Sequence, residues 1–486
     1  KEFGSHVMSG AVSNPHVIAK LFPDYKENGF PIEATCTESF VSVLGVKKKW
    51  DMPAKFYPKS LDKTGYVVLT LSNVVSWMSR YLQDKAKDVP NVTIDLFNGF
   101  AAHKVVFEDG RVAGVAVSEE AKSEEDYVYG KFTCFGDKGF ISRDVIDFYK
   151  LRDNPQIWSV GVKEVWQVNE DYQGKVWHTL GYPLLDGTFG GGFVYGMKDK
   201  KLTIGMVISL DSQDPNMNPQ QKLQDYKKHA FIQDMIKGGK LLKYGAALLP
   251  EGGYYSLPKK FYVPGAILLG DALGVLDVKN LAGIDRAMEC GYVAAGVLHD
   301  ALVKGDTSEA ALAPYQKQLE DGFVIKEAYK NRYFRWAFMS NPKLLGQYLP
   351  DIAKSIDKTN AWVGMLKVGF KNPFAAPVDG VTSLSLIEGT RDIGPIKYKP
   401  DASHIIPSWV TPKYDEPQYD KSTIYSRPDA VFFASTKYHE GNEHIDEFNA
   451  QTCVKCISTY EGLGKTTPCV ADCTAEVHRI DIIDDL

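Results

Sequence analysis

Nowhere in its 486 residues does the chain hold a run of 18 apolar residues, so no transmembrane helix is expected. Basic residues are not in excess either: 56 Lys and Arg stand against 61 Asp and Glu, a formal charge of −5. That balance leaves no electrostatic footprint for nucleic acid. The start at Lys1 carries no initiator Met and no signal or transit pattern, which reads as a processed product or a fragment. Internal repeats, low-complexity tracts and any Ser/His/Asp constellation are missing too, and no catalytic acid–base residue can be named. Cysteine is scarce, at seven. Cys36, Cys134 and Cys290 stand among apolar neighbours and read as small buried hydrophobes. Cys453, Cys456, Cys469 and Cys473 cluster near the C-terminus, as a metal site or a pair of disulfides.

What is present suits an ordinary globular protein of two or three domains, with 44% hydrophobic and 24% charged residues. The most informative stretch is Val263–Gly296. Ala266–Leu269 has strand length and ends in Gly270–Asp271; after a loop, a helix is expected from about Ala282, with Gly283, Ala287, Gly291, Ala294 and Ala295 on closely packed faces. A strand, Gly-Asp and a helix N-terminus can hold the ribityl-pyrophosphate part of a flavin. The Asp accepts a hydroxyl, and the helix end offers free N–H groups and positive dipole. A structural crossover with a turn aspartate explains the same residues.

Along the chain, Ser72–Asp84 reads as an amphipathic helix capped by Ser72, with Val75, Met78 and Leu82 on one face. Val92–Asn98, Ala101–Phe107 and Val112–Val117 alternate as strands, with a hairpin at Glu108-Asp-Gly110, and Lys131–Phe135 is another. Residues 158–210 are β-rich, with strands at Val160–Val168, Lys175–Gly181, Phe193–Met197 and Leu202–Leu210. Among them lie Gly190, Gly191 and Gly192, whose bare backbone suits close approach by a ligand or a neighbouring strand. Gln220–Gly239 and Glu309–Trp336 read as helical. Residues 341–371 keep a helical pattern but carry Asp351, Lys354, Asp357 and Lys358. From Lys371 to about Ser435 the chain is Pro-rich and aperiodic, an extended wrapping segment or a linker.

Several strings, in one order, resemble the electron-transfer flavoprotein:ubiquinone oxidoreductase family. They are Gly4-Ser-His-Val-Met-Ser-Gly-Ala11, Leu21-Phe-Pro-Asp-Tyr-Lys-Glu27, Val75-Ser-Trp-Met78, Gly161-Val-Lys-Glu-Val-Trp166, Thr188-Phe-Gly-Gly-Gly-Phe-Val-Tyr195, Tyr244-Gly-Ala246 with Glu251-Gly-Gly253, and Asn449-Ala-Gln-Thr-Cys-Val-Lys-Cys456. The resemblance spans essentially the whole chain. It implies a mixed α/β fold: a glutathione-reductase-type FAD domain interleaved with a β-rich quinone domain, and a C-terminal Cys-rich, ferredoxin-like domain. The implied division is 1–155 with 240–305 for FAD, 156–239 for quinone, 306–371 as a helical membrane- or partner-facing region, 372–435 as the wrapping segment and 436–486 as the four-cysteine domain for a metal or cluster. Implied FAD contacts are Gly4, Ser5, His6, Ser9, Gly10, Ala11, Gly270, Asp271, Ala282, Gly283 and Ile284. Backbone groups of Gly190 and Gly191 would face a quinone carbonyl. Electrons would pass from electron-transfer flavoprotein through a 4Fe–4S cluster and FAD to ubiquinone, on the matrix side of the mitochondrial inner membrane.

Three features depart from that family. Its opening Gly-x-Gly-x-x-Gly βαβ unit is not in this chain, which points to a second polypeptide or a larger respiratory assembly supplying it, to an incomplete sequence, or to a fold rebuilt without FAD. The cluster cysteines are rearranged: Phe433 and Thr459 replace two of them, and Cys469 and Cys473 complete a Cys-x2-Cys-x12-Cys-x3-Cys pattern that suits 4Fe–4S or Zn. The membrane-facing segment Leu344–Val368 carries Asp351, Lys354, Asp357 and Lys358, each charge costing at least about 2.5 kcal/mol at bilayer depth. Trp362, Met365, Leu366 and Phe370 could anchor it flat at an interface. Phe135 also stands in place of an acidic residue beside Gly136. Two functions fit: an active quinone reductase, or an inactive relative kept as a structural subunit of a mitochondrial assembly. A flavin reductase of another substrate, such as an isoprenoid, shares the strand, Gly-Asp and helix unit.

Overall fold

The computed structural model describes residues 3–5, 7, 10–53, 59–119, 125–212, 217–335, 338 and 344–350, with a short strand pair at Pro377–Val378 and Val381–Thr382. His6, Ser9, nearly all of the charged segment and its anchors, the rest of the Pro-rich segment and the four clustered cysteines lie outside the described residues. No helix among the described residues is long and apolar enough to cross a membrane.

The first layer is a small antiparallel sheet covered by two helices. Strand β1 (Ala11–Ser13) runs into α1 (Pro15–Leu21), where the Asn14 side chain accepts the His16 amide and Pro15 presets the first turn. β2 (Ile32–Thr35), β3 (Glu38–Leu44), β4 (Lys49–Asp51) and β5 (Val67–Leu69) follow, and β5 pairs with both β1 and β2. Helix α2 (Leu71–Lys87) starts at Thr70 rather than Ser72. The Thr70 hydroxyl is spent on Glu33, at 2.6 Å, and caps no amide. Its inward residues are Val74 and Trp77, while Leu82 is exposed. The face is turned because Trp77 is drawn into the aromatic cluster of Phe22, Phe30 and Tyr81.

A meander of β6 (Phe100–Glu108), β7 (Arg111–Glu119) and β8 (Glu125–Tyr129) comes next. Its first turn is Asp109-Gly110, with φ of 50° and 73°, the left-handed pair that a tight hairpin requires. The expected strand at Val92–Asn98 does not form: outside Phe100–Glu108 that stretch has no ladder partner. β9 (Thr133–Phe135) then leads to α3 (Ser142–Phe148). Cys36 and Cys290 are buried as expected, but Cys134 is exposed, because β9 is an edge strand.

The largest sheet has seven strands. β10 (Trp158–Gln167), β11 (Lys175–Gly181), β12 (Gly190–Met197) and β13 (Lys201–Ser209) precede α4 (Pro219–Lys228), α5 (Ala230–Ile236) and β14 (Lys240–Pro250). The spatial order is β14-β10-β13-β12-β11-β3-β4, and only β11 and β3 run parallel. The sheet therefore takes strands from residues 38–51 and 240–250 as well as from 158–209. One face is closed by α4 and α5, whose Leu223, Tyr226 and Ile232 pack on alternate residues such as Val160, Val162, Ile204 and Ile208. His229 divides the expected single helix in two and caps the second half, its Nδ1 accepting the Phe231 amide.

The chain returns to the first body through β15 (Tyr262–Val263) and β16 (Ala266–Leu268), with β16 parallel to β9. Helices α6 (Gly270–Leu273), α7 (Ile284–Lys304), α8 (Glu309–Asp321) and α9 (Phe323–Lys330) complete it. Gly322, at ψ 178°, breaks the helical stretch expected from Glu309. The core here joins Ile267 and Leu268 to Cys290, Val297, Tyr315 and Val324.

Candidate functional site

The site follows from the period of two along the large sheet. With Val160 and Val162 turned to the helices, Ser159, Gly161 and Lys163 share the other face. Ladder pairing sets three rows across that face. The middle row is Ala247, Gly161, Val207 and Gly191. Its members are small, and Gly161, Val207 and Gly191 are only half-buried, whereas Val160, Ile208 and Gly192 beside them are buried. The row is thus an open strip of nearly bare backbone, flat enough for a planar ring.

The glycines also answer to packing. A Cβ on Gly190 (φ 155°) would lie 2.2 Å from the Val207 carbonyl oxygen, and one on Gly192 would lie 2.5 Å from the Tyr226 ring. On Gly161 it would meet only ordinary contacts, Leu249 Cδ1 at 3.4 Å and the Ala247 carbonyl oxygen at 3.7 Å.

On one side of the strip lies the row Gly245, Lys163, Gly205 and Phe193. Lys163 Nζ donates to the Gly10 carbonyl at 3.0 Å, and Lys243 Nζ donates to that of Val7 at 3.2 Å. The segment carrying Gly4 and Gly10 therefore crosses the sheet face. Gly4 backs onto the Ser72 carbonyl, and Gly10 backs onto the Thr203 side chain, where a Cβ would stand 2.3 Å away in each case. Burial, with Lys138 and Lys243 adding repulsion, pulls the Lys163 ammonium down to about 8. Lys138 Nζ in turn bonds Asp271 Oδ2 at 2.6 Å. Three ammonium groups thus gather where the sequence places cofactor contacts, a convergence hidden by their separation in the chain.

Asp271 sits in the first turn of α6. Gly270, at φ 51°, lets that turn approach α7, since a Cβ there would stand 2.9 Å from Ala287 Cβ. Ala282 makes a two-way backbone bridge with Asp277, Gly283 caps α7 and Ile284 is its first residue. The Gly270–Asp271 and Ala282–Ile284 groups are thereby brought together. Ser5 is exposed, and Ala11 is the first residue of β1.

On the other side of the strip runs the row Leu249, Ser159, Ser209 and Phe189. It leads into buried Glu251 and Arg335 and half-buried Asp211, none of which the sequence marked as functional. Glu251 was visible only as part of a Glu-Gly-Gly loop.

The residues present fit a flavin dinucleotide: Asp271 offers a hydroxyl acceptor, and the lysines offer charge for phosphate. The donor set of four thiolates fits either 4Fe–4S or Zn, though it lies outside the described residues.

A family model described as ETF-QO, ubiquinone-binding, matches residues 158–249, which run from β10 to β14 and include the strip. A relative from Oryza sativa subsp. japonica, electron transfer flavoprotein-ubiquinone oxidoreductase, mitochondrial, is 29% identical over 94% of this chain and 81% of its own length. The Pseudomonas aeruginosa electron transfer flavoprotein-ubiquinone oxidoreductase is 27% identical over 100% of this chain and 84% of its own. The chain is similar to these oxidoreductases over nearly its whole length. The mitochondrial oxidoreductase of Arabidopsis thaliana is 32% identical over 69% of this chain and 54% of its own length. A solved structure from Thermoplasma acidophilum, a geranylgeranyl bacteriochlorophyll reductase-like protein, superposes with a TM-score of 0.52 at 17% identity, over 76% of this chain and 88% of that one. It shares the mixed α/β fold, and the sequence expectation of a flavoprotein-type architecture stands.

Proposed function

We propose that this electron transfer flavoprotein-ubiquinone oxidoreductase relative is an oxidoreductase that passes electrons from electron-transfer flavoprotein to ubiquinone. The observation that carries the reading is the open strip of Gly161, Val207 and Gly191, within the span matched by the ubiquinone-binding family model. A quinone head group is flat and apolar on its faces, with carbonyl oxygens only at its ends. A strip of bare backbone takes such a ring face-on, and Gly190 and Gly191 can approach a carbonyl without side chains intervening.

FAD is the cofactor proposed, and when bound it would take up and release the electrons at this interface. Its ribityl hydroxyl would fall to Asp271 and its phosphate charge to Lys138, with the Gly4–Ala11 segment and Ala282–Ile284 lining it. Lys163, held between the strip and Gly10, would place a positive charge beside the reacting rings. Cys453, Cys456, Cys469 and Cys473 would hold a 4Fe–4S cluster, or Zn, by the chemistry of four thiolates. The mitochondrial names of several relatives support a peripheral place on the matrix side of the inner membrane. A second polypeptide, or a respiratory assembly, carrying the glycine-rich unit belongs to the same reading. Its support is that β9 is paired on one edge only among the described residues.

The test is acid-released flavin per chain on material isolated with its partners bound, followed by reduction of a short-chain ubiquinone. Near-stoichiometric FAD and turnover are expected. A folded assembly with no flavin would overturn the reading.

A further inference from the structure

The polar row beside the strip ends in an acid that electron transfer alone leaves without a task. Glu251 follows β14 directly, and its amide bonds to the Ile157 carbonyl at 2.7 Å. Its carboxyl Oε2 accepts the Ser159 hydroxyl. Both side chains are buried, Glu251 at 4% exposure and Ser159 at 0%. Opposite Ser159 on the ladder is Ser209, whose hydroxyl accepts Arg335 Nη2 at 2.6 Å. The same nitrogen donates to both oxygens of Asp211, at 2.7 and 2.8 Å. The guanidinium covers the ring of Phe189, the residue before Gly190, at 4.3 Å. Arg335 is therefore committed to Asp211, and among the described residues Glu251 forms no ion pair.

A carboxyl buried in that setting is favoured as the neutral acid. Burial is the main cause that raises its pKa above the ordinary glutamate value; the Ser159 hydroxyl and the Arg335 charge oppose the rise, and the Asp211 charge adds to it. Ser159 lies two residues before Gly161 on the same face, about 7 Å along β10, between the acid and the strip. A quinone that becomes a quinol gains two electrons and two protons, and each carbonyl oxygen becomes a hydroxyl.

We propose that Glu251 is the proton store of the strip: a neutral acid that delivers one of these two protons, through the Ser159 hydroxyl, to an oxygen of a ring lying on Gly161 and Gly191. The inference rests on the quinone reading. In the step, the Ser159 O–H bond breaks as the ring oxygen gains its proton, and Ser159 regains one from Glu251. Glu251 is left as a carboxylate and is reprotonated from solvent. The two electrons and the second proton come from a dihydroflavin, which is oxidised and loses its other proton to solvent. Arg335 and Asp211 are positioning residues that keep Ser209 and the strand end in place.

The test is infrared difference spectroscopy on the full chain with a short-chain ubiquinone, whose binding is read separately by tryptophan quenching. At neutral pH a protonated-carboxyl C=O stretch is expected that disappears in Glu251→Gln, persists in Glu251→Asp and moves when the quinone binds. Quinone reduction should fall about 100-fold in Glu251→Gln, the lower range for loss of a general acid, and recover in part in Glu251→Asp. The wild-type rate should be full below the Glu251 titration and decline as pH rises through it, a limb that Glu251→Gln lacks. A quinone that binds but leaves the stretch unmoved, or the absence of the stretch at neutral pH, overturns this inference alone. A chain that binds no quinone overturns the quinone reading and this inference with it.

Discussion

Arg286 and Arg335 are both almost fully buried, at 2% and 3% exposure, yet the acids around them are neutralised in different ways. Arg286, in the first turn of α7, bonds Asp277 at 3.1 Å and Asp285 at 3.2 Å, and also reaches Glu327. Asp277 further accepts the side-chain amides of Asn280 and Asn331. Lys63 stands close by, its Nζ donating to the Ser60 and Asn280 carbonyls at 2.7 and 2.6 Å. Two cations thus face two buried acids, Asp277 and Asp285, with half-exposed Glu327 at the rim, in a knot tying the loop after α6 to α7 and α9. Asp285 in the first turn also faces the positive end of the α7 dipole. Around Arg335 there is one cation for two acids; Arg335 is committed to Asp211, and burial shifts the acid left over, Glu251, toward its protonated form. Coulombic neutralisation locks a structure; protonic neutralisation leaves a group able to change state, and that group lies beside the open strip.

The comparison breaks if the two arginines prove equivalent in stability. Arg286→Met strands two buried carboxylates and should cost about 3–5 kcal/mol. Arg335→Met leaves Asp211, whose side chain keeps 18% exposure, and should cost nearer 1–3 kcal/mol. Urea unfolding midpoints of the two variants decide it; equal losses would remove the distinction between knot and store.

A smaller effect separates the two faces of the large sheet. Gly192→Ala puts a methyl against the Tyr226 ring and the Thr179 hydroxyl, both 2.5 Å from the new Cβ, an overpacking worth about 1–3 kcal/mol. Gly161→Ala finds room, so unfolding should be unchanged while short-chain ubiquinone binds more weakly, because the methyl rises into the strip. If Gly161→Ala binds the quinone as wild type does, the strip is not where the ring lies.

Much of this architecture was legible because it is local. Strands at 158–167, 175–181 and 201–209 announce themselves by β-branched and aromatic content, and Asp109-Gly110 by its turn chemistry. The approach of Gly270 to α7 follows from small residues in both elements. What stayed hidden depends on partners far along the chain. Glu251 is an unremarkable loop acid until β14 pairs with β10 and buries it. Lys138, Lys163 and Lys243 converge only once the sheet forms. Val92–Asn98 alternates like a strand yet has no neighbour to pair with, since periodicity marks which residues could be half-buried and not what would bury them.

The finest distinction concerns Lys63, because it tests whether the Arg286 knot is wholly coulombic. Burial pulls its ammonium down to about 8, with Arg286 repelling it and Asp285 and Asp277 drawing it back. A neutral amine still has two N–H donors, enough for its two carbonyl partners, so deprotonation keeps both bonds and removes a buried charge. The unfolded chain holds that proton up to the ordinary lysine range, so between about 8 and that range it binds more protons than the folded chain. Stability therefore rises with pH across this window. From pH 8 to 9.5 the gain should be roughly 1 kcal/mol, and it should be missing in Lys63→Met, measured as the difference between the two urea midpoints at each pH. Parallel curves for the two proteins would mean that Lys63 stays charged, with Asp277 and Asp285 balancing it. The knot would then be as fully ionic as its distances suggest, and the contrast with Glu251 would sharpen.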